Sequence, residues 1–71
     1  MSWMKSVYSS MVSEVGWDVQ TNEVLIKWAG SGKTSAYGPA TEDVADEASR
    51  APSVGQFVIS EIKPNYQHRY R

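Results

Sequence analysis

Between residues 10 and 37 the apolar side chains recur at every second position, and this alternation constrains the fold more than any other feature of the chain. Met11, Val15, Trp17 and Val19 are separated by even numbers of residues, with Val12 the one exception, which predicts a half-buried strand over roughly residues 10–19. Gln20-Thr21-Asn22 forms a turn. Glu23 to Ala29 then alternates again: Val24, Ile26 and Trp28 fall on one face, Leu25, Lys27 and Ala29 on the other, with the β-branched and aromatic enrichment of a strand. Gly30-Ser31-Gly32 reads as a loop that tolerates positive φ, and Lys33 to Tyr37 returns as a third antiparallel strand.

The pattern changes at Gly38-Pro39, which ends the sheet. Thr41 stands as an N-cap before Glu42 and Asp43, acidic residues favoured at a helix N-terminus, and a first helix is expected to run to about Arg50. Ala51-Pro52 interrupts it. Ser53-Val54-Gly55-Gln56 has the Ser-x-x-Gln form of a capping box and opens a second helix, whose apolar stripe is Val54, Phe57, Val58 and Ile62. Lys63-Pro64 ends that helix, leaving Asn65 to Arg71 as a tail, either a short edge strand or disordered. The expected fold is α+β, a small three-stranded antiparallel β-meander followed by two short helices, in one domain over residues 1–71.

A chain of 71 residues buries only about 60% of the surface that its unfolded form exposes. With no cysteine and a single histidine, neither disulfides nor a Cys/His zinc site can staple it. Self-association is the simplest remaining source of stability, and a homo-oligomer is expected. No secretory signal is visible, and Val24-Leu25-Ile26 is the longest apolar run, so we expect a cytoplasmic protein with no membrane partner. The formal net charge of −1 lacks the basic footprint of a dedicated nucleic-acid binder. Charge is uneven, however: the last nine residues carry Lys63, Arg69 and Arg71 with no acid.

Three catalytic motifs come close and fail. Gly30-Ser31-Gly32-Lys33-Thr34 matches the second half of a phosphate-binding P-loop, but position 27 is lysine where the full pattern needs glycine, and no helix has room to follow before Gly38-Pro39. Serines and His68 are present without a nucleophile elbow or an acid near His68, which reads as a solvated or stacking histidine. Glu42, Asp43, Asp46 and Glu47 read as a solvated helix face rather than a cation site. No enzyme, metal or cofactor is expected.

The aromatics carry the remaining information. Trp17, Trp28 and Tyr37 on the strands serve either as core or as stacking platforms for a planar base. Tyr66, His68 and Tyr70 in the tail alternate with Arg69 and Arg71, and an aromatic beside an arginine fork grips a base and a phosphate together. With Lys33 and Lys63, these ten residues are the candidate ligand contacts. An Arg69→Ala/Arg71→Ala pair is expected to weaken binding without disturbing the fold.

The order Ser9-x-Met11, Val15-Gly16-Trp17-Asp18, Leu25-x-Lys27-Trp28, Tyr37, Ala51-x-Ser53-x-Gly55-x-Phe57 and Ile62-Lys63-x-x-Tyr66 resembles the KTSC domain. The resemblance covers about Val7 to Tyr70. That family is named from the C-terminal segment of some lysyl-tRNA synthetases and also occurs as a stand-alone protein in bacteria and phages. It has no known catalytic residues, and RNA binding is its suggested role. Two positions depart from its pattern: Ser35 replaces the first aromatic of a Tyr-x-Tyr on the third strand, and Ile59 follows Phe57-Val58 where asparagine is usual. The leading expectation is a non-catalytic module binding a small nucleotide-like anion, which in a phage would sequester a host nucleotide immune signal. An RNA or single-stranded nucleic-acid binder and a structural protein–protein interaction module are the alternatives.

Overall fold

The computed structural model describes Met1–Arg71 in full. Five antiparallel strands follow one another across a single sheet: β1 (Trp3–Ser6), β2 (Val12–Asp18), β3 (Glu23–Trp28), β4 (Thr34–Gly38) and β5 (Gln67–Tyr70). Between β4 and β5 the chain leaves the sheet to form α1 (Glu42–Arg50) and α2 (Val54–Phe57), and α2 continues as a π-helical turn over Val58–Ile62. The antiparallel meander and both helices are as the sequence implies. The sheet is wider than the expected three strands by one on each side: Trp3–Ser6 adds β1 beside β2, and the tail is ordered as β5 beside β4.

Register explains why one face of this sheet is apolar. Trp3 pairs with Trp17, Trp17 with Val24, Val24 with Tyr37 and Tyr37 with His68, forming a row across all five strands. A parallel row runs Lys5, Val15, Ile26, Ser35, Tyr70. Both rows lie on the helix side, because paired residues in a sheet point the same way. The helices lie over β2 and β3, where Val15, Trp17, Val24 and Ile26 meet Ala45, Ala48, Val54, Val58 and Ile62 in one core. Along α2 and the π-helical turn the buried apolar side chains Val54, Val58 and Ile62 recur every fourth position. Gly55 lets α2 approach: a Cβ there would stand 3.1 Å from the Met11 sulfur.

The turns use the residues that their geometry requires. Asn22 (φ 58°) and Gly32 (φ +71°) take left-handed conformations between β2 and β3 and between β3 and β4, which asparagine and glycine tolerate best. The Gly-Ser-Gly-Lys-Thr stretch is therefore a hairpin loop, closed by the Gly32 amide donating to the Trp28 carbonyl at 2.9 Å. Thr41 and Ser53 occupy the N-cap positions, but neither hydroxyl bonds an amide of its helix, so the capping-box bond expected of Ser53 is not made. The cap residues enter the helices through their carbonyls only: Val44 N–H reaches the Thr41 carbonyl at 3.1 Å and Phe57 N–H the Ser53 carbonyl at 3.0 Å.

On the far face, Gly16 is required because Met4 lies across it. A Cβ at Gly16 would come within 2.1 Å of the Met4 sulfur and 2.5 Å of the Trp3 carbonyl oxygen, so β1 itself would have to move.

Candidate ligand-binding cleft

The helices cover the middle of the sheet and leave the helix side of β4 and β5 open. There lies a cleft of about 560 Å³ lined by Trp28, Ser31, Lys33, Ser35, Tyr37, Lys63, His68 and Tyr70, within the range of small-molecule sites. Each lining group is placed by a regular feature. The hairpin loop after β3 supplies Ser31 and Lys33, the end of the π-helical turn supplies Lys63, and the alternation of β4 and β5 turns Ser35, Tyr37, His68 and Tyr70 the same way.

Ser35 ties the polar centre together. It is 1% exposed, accepts the Trp28 indole N–H at 2.7 Å and lies 3.0 Å from His68 Nε2. The His68 ring stands 5.0 Å from the Tyr37 ring, tilted by 35°, and 4.6 Å edge-on from Tyr70. Lys33 Nζ sits 5.5 Å from the centre of the Tyr70 ring, a cation–π distance. Burial pushes the Tyr37 phenol above its ordinary pKa, so it stays protonated at neutral pH. No carboxylate is among the lining residues. The cleft is thus an aromatic, hydroxyl-bearing surface with ammonium groups and no opposing negative charge.

Six of the ten residues singled out from the sequence meet here: Trp28, Lys33, Tyr37, Lys63, His68 and Tyr70. Trp17 does not, being 4% exposed in the core, and Tyr66 is half-buried against that core. Arg69 and Arg71 lie on the opposite face, because a strand alternates and His68 and Tyr70 occupy the cleft side. Arg69 donates to both carboxylate oxygens of Glu23, at 2.7 and 2.8 Å, and Arg71 donates to Asp18 at 2.5 Å. In the sequence Ser35 stands out only as a departure from the family's aromatic, with no sign of a role in the site. A serine sharing a strand face with Tyr37 is the signal that marks it.

The arginine latch has a pH consequence. The hydrogen bond from Arg71 holds Asp18 below its ordinary carboxylate pKa, and that from Arg69 does the same for Glu23, against the opposing effect of burial. Both acids therefore release their protons more readily folded than unfolded. Their stabilisation is complete above the unfolded carboxylate values, near ~4, and is lost as pH falls through these toward the lower folded ones. Melting temperature is expected to fall as pH drops below about 5, and an Arg69→Gln/Arg71→Gln variant should show a shallower acid slope. Equal slopes in melts from pH 7 to 3 would refute the latch.

Comparison with known proteins agrees with this architecture. The crystal structure of a KTSC domain protein from Yersinia pestis matches with a TM-score of 0.86, covering 100% of this chain and 99% of that one at 24% sequence identity, a likeness of fold. No curated protein matches the chain. A family model, the KTSC domain, matches residues 8–66; with most of its length inside that match, the chain belongs to the KTSC domain family.

Proposed function

We propose that this chain is a non-catalytic binding protein for a nucleotide-like anion, held in the cleft over β4 and β5. The carrying observation is the combination of Trp28, Tyr37, His68 and Tyr70 with Lys33 and Lys63 in one acid-free cleft. Aromatic faces stack on any planar base, contributing about 1–3 kcal/mol per base, and ammonium groups match phosphate. Net charge need not be positive for this, since the acids are concentrated elsewhere: Asp18 and Glu23 are neutralised by the arginines on the far face, and Asp46 is paired with Arg50 at 2.6 Å. A binding role fits better than catalysis because the Ser35 hydroxyl is buried and already engaged by Trp28, and no carboxylate is hydrogen-bonded to His68. In a phage, such a site would hold a host nucleotide signal out of solution without altering it.

The test is a thermal-shift screen against mono-, di- and cyclic nucleotides and a short single-stranded RNA, at low and physiological salt. A ligand at a hundred times its Kd stabilises the native state by about 2.7 kcal/mol, which raises the melting temperature of so small a domain by roughly 10–20 °C. A shift from a small nucleotide that survives physiological salt, with the ligand recovered chemically unchanged, is the expected result. A response to RNA alone that fades with salt assigns the cleft to single-stranded nucleic acid instead. No response to any of them overturns the reading and favours a protein-interaction module.

A further inference from the structure

β5 is an edge strand with one side of its backbone unused. The Arg71 amide donates to the Thr34 carbonyl at 2.9 Å, which fixes the phase of the ladder. Gln67, Arg69 and Arg71 turn their backbone groups toward β4, and in an antiparallel ladder the intervening His68 and Tyr70 turn theirs away. No strand lies beyond them. Edge strands are commonly guarded by proline, an inward-pointing charge, a bulge or a covering segment. β5 is short, at four residues, but it has no proline, pairs with β4 without a register shift, and carries no lysine, arginine or carboxylate on its helix side. Its one cation, Arg69, is engaged by Glu23 on the other face. The opposite edge, β1, is different: Lys5 stands on its helix side. The cleft has walls at the hairpin loop and at Lys63, but its lining ends at β5.

We infer that two copies of this chain pair β5 to β5, antiparallel, and that the partner completes the cleft. A two-fold axis perpendicular to the sheet keeps the helix-bearing face on the same side in both copies. The register that uses the free amides and carbonyls of both His68 and Tyr70 sets each His68 opposite the partner's Tyr70, with Arg69 and the partner's Arg69 at the axis. Those two arginines face each other on the outer side, each neutralised by its own Glu23. On the helix side the partner's Tyr70 becomes the cross-strand neighbour of His68, with Cβ atoms about 4.5–5.5 Å apart. The aromatic floor continues across the axis, and both clefts open onto it. The ligand in this picture rests on the proposed binding function; the dimer rests on the backbone alone.

The chain has no cysteine, so an Arg69→Cys variant carries a single thiol, at the axis. Facing Cα atoms of a non-hydrogen-bonded antiparallel pair are about 4.5 Å apart, inside the range that a disulfide spans. In Gln67→Cys the two thiols are offset by about 13 Å along the strands. Light scattering of the unmodified protein is expected to give twice the 7.9 kDa chain mass, and mild oxidation is expected to convert Arg69→Cys, but not Gln67→Cys, to a covalent dimer. A monomeric mass at micromolar concentration overturns the inference. So does a dimer that fails to cross-link at position 69 or cross-links as readily at 67. A nucleotide screen that fails on an intact dimer removes the ligand and leaves the pairing, whereas a monomer that binds nucleotide does the reverse.

Discussion

Replacing Trp17 by alanine is expected to bring the fold close to collapse. Trp17 is 4% exposed and stands second in the row Trp3, Trp17, Val24, Tyr37, His68, between β1 and β3 and inside the core that the helices cover. Truncating a buried tryptophan to alanine costs about 3–5 kcal/mol. A domain of this size has a total stability of only about 4–11 kcal/mol. The melting temperature should fall by roughly 12–40 °C, with any loss of ligand binding following the loss of native protein. Trp28→Ala gives the contrast: its indole is half-buried and its N–H is spent on Ser35. That variant should lose less stability and more affinity at matched native fraction. A Trp17→Ala protein that melts like the unmodified one but no longer binds would return Trp17 to the ligand site.

The same row shows what was legible in the sequence and what was not. β2 and β3 could be read because their apolar side chains alternate, which writes a period of two into the chain, and β4 because the Gly30-Ser31-Gly32 loop returns the chain beside β3. β1 could not, since Trp3-Met4-Lys5-Ser6 is only four residues long and exposes all but Trp3. It is ordered by pairing with β2, where Gly16 leaves room for Met4 to cross, and by the Trp3 indole N–H donating to Glu42 at 2.9 Å. β5 was ambiguous for a related reason. All four of its residues are exposed, so no apolar face distinguishes a strand from a disordered tail, and its order comes from β4 and from the arginines bonded to Asp18 and Glu23.

The candidate site was legible as a set of residue types but not as an arrangement. Reading Tyr66 to Arg71 as one cluster grouped side chains that are neighbours in sequence. Once the tail is a strand, consecutive residues point to opposite faces, which sends His68 and Tyr70 to the cleft and Arg69 and Arg71 to the latch. Lys33 and Lys63 are thirty residues apart in the chain and share the cleft because the helices return the chain to the edge next to the β3–β4 hairpin. Ser35 could be flagged from the sequence as a departure. Its meaning as the hydroxyl between Trp28 and His68 needed the register of β3, β4 and β5.

The two basic groups can now be separated by experiment. Charge reversal in the cleft, Lys33→Glu with Lys63→Glu, removes both ammonium groups and adds repulsion against an anion. A hydrogen bond to a charged group contributes about 1.5–3 kcal/mol, and about 1.4 kcal/mol is tenfold in affinity. The double variant is therefore expected to bind the best nucleotide of the screen at least about a hundredfold more weakly, measured by titrating tryptophan fluorescence. Both lysines are exposed and in no salt bridge, so the melting temperature should stay near that of the unmodified protein. Arg69→Ala with Arg71→Ala should give the mirror image. Asp18 and Glu23 lose their main partners, the β5 strand is held less firmly and the melting temperature drops, while native protein keeps its affinity. If the arginine pair abolishes binding at undiminished stability and the lysine pair does not, the ligand lies on the outer face of the sheet, and the aromatic cleft over β4 and β5 is not its site.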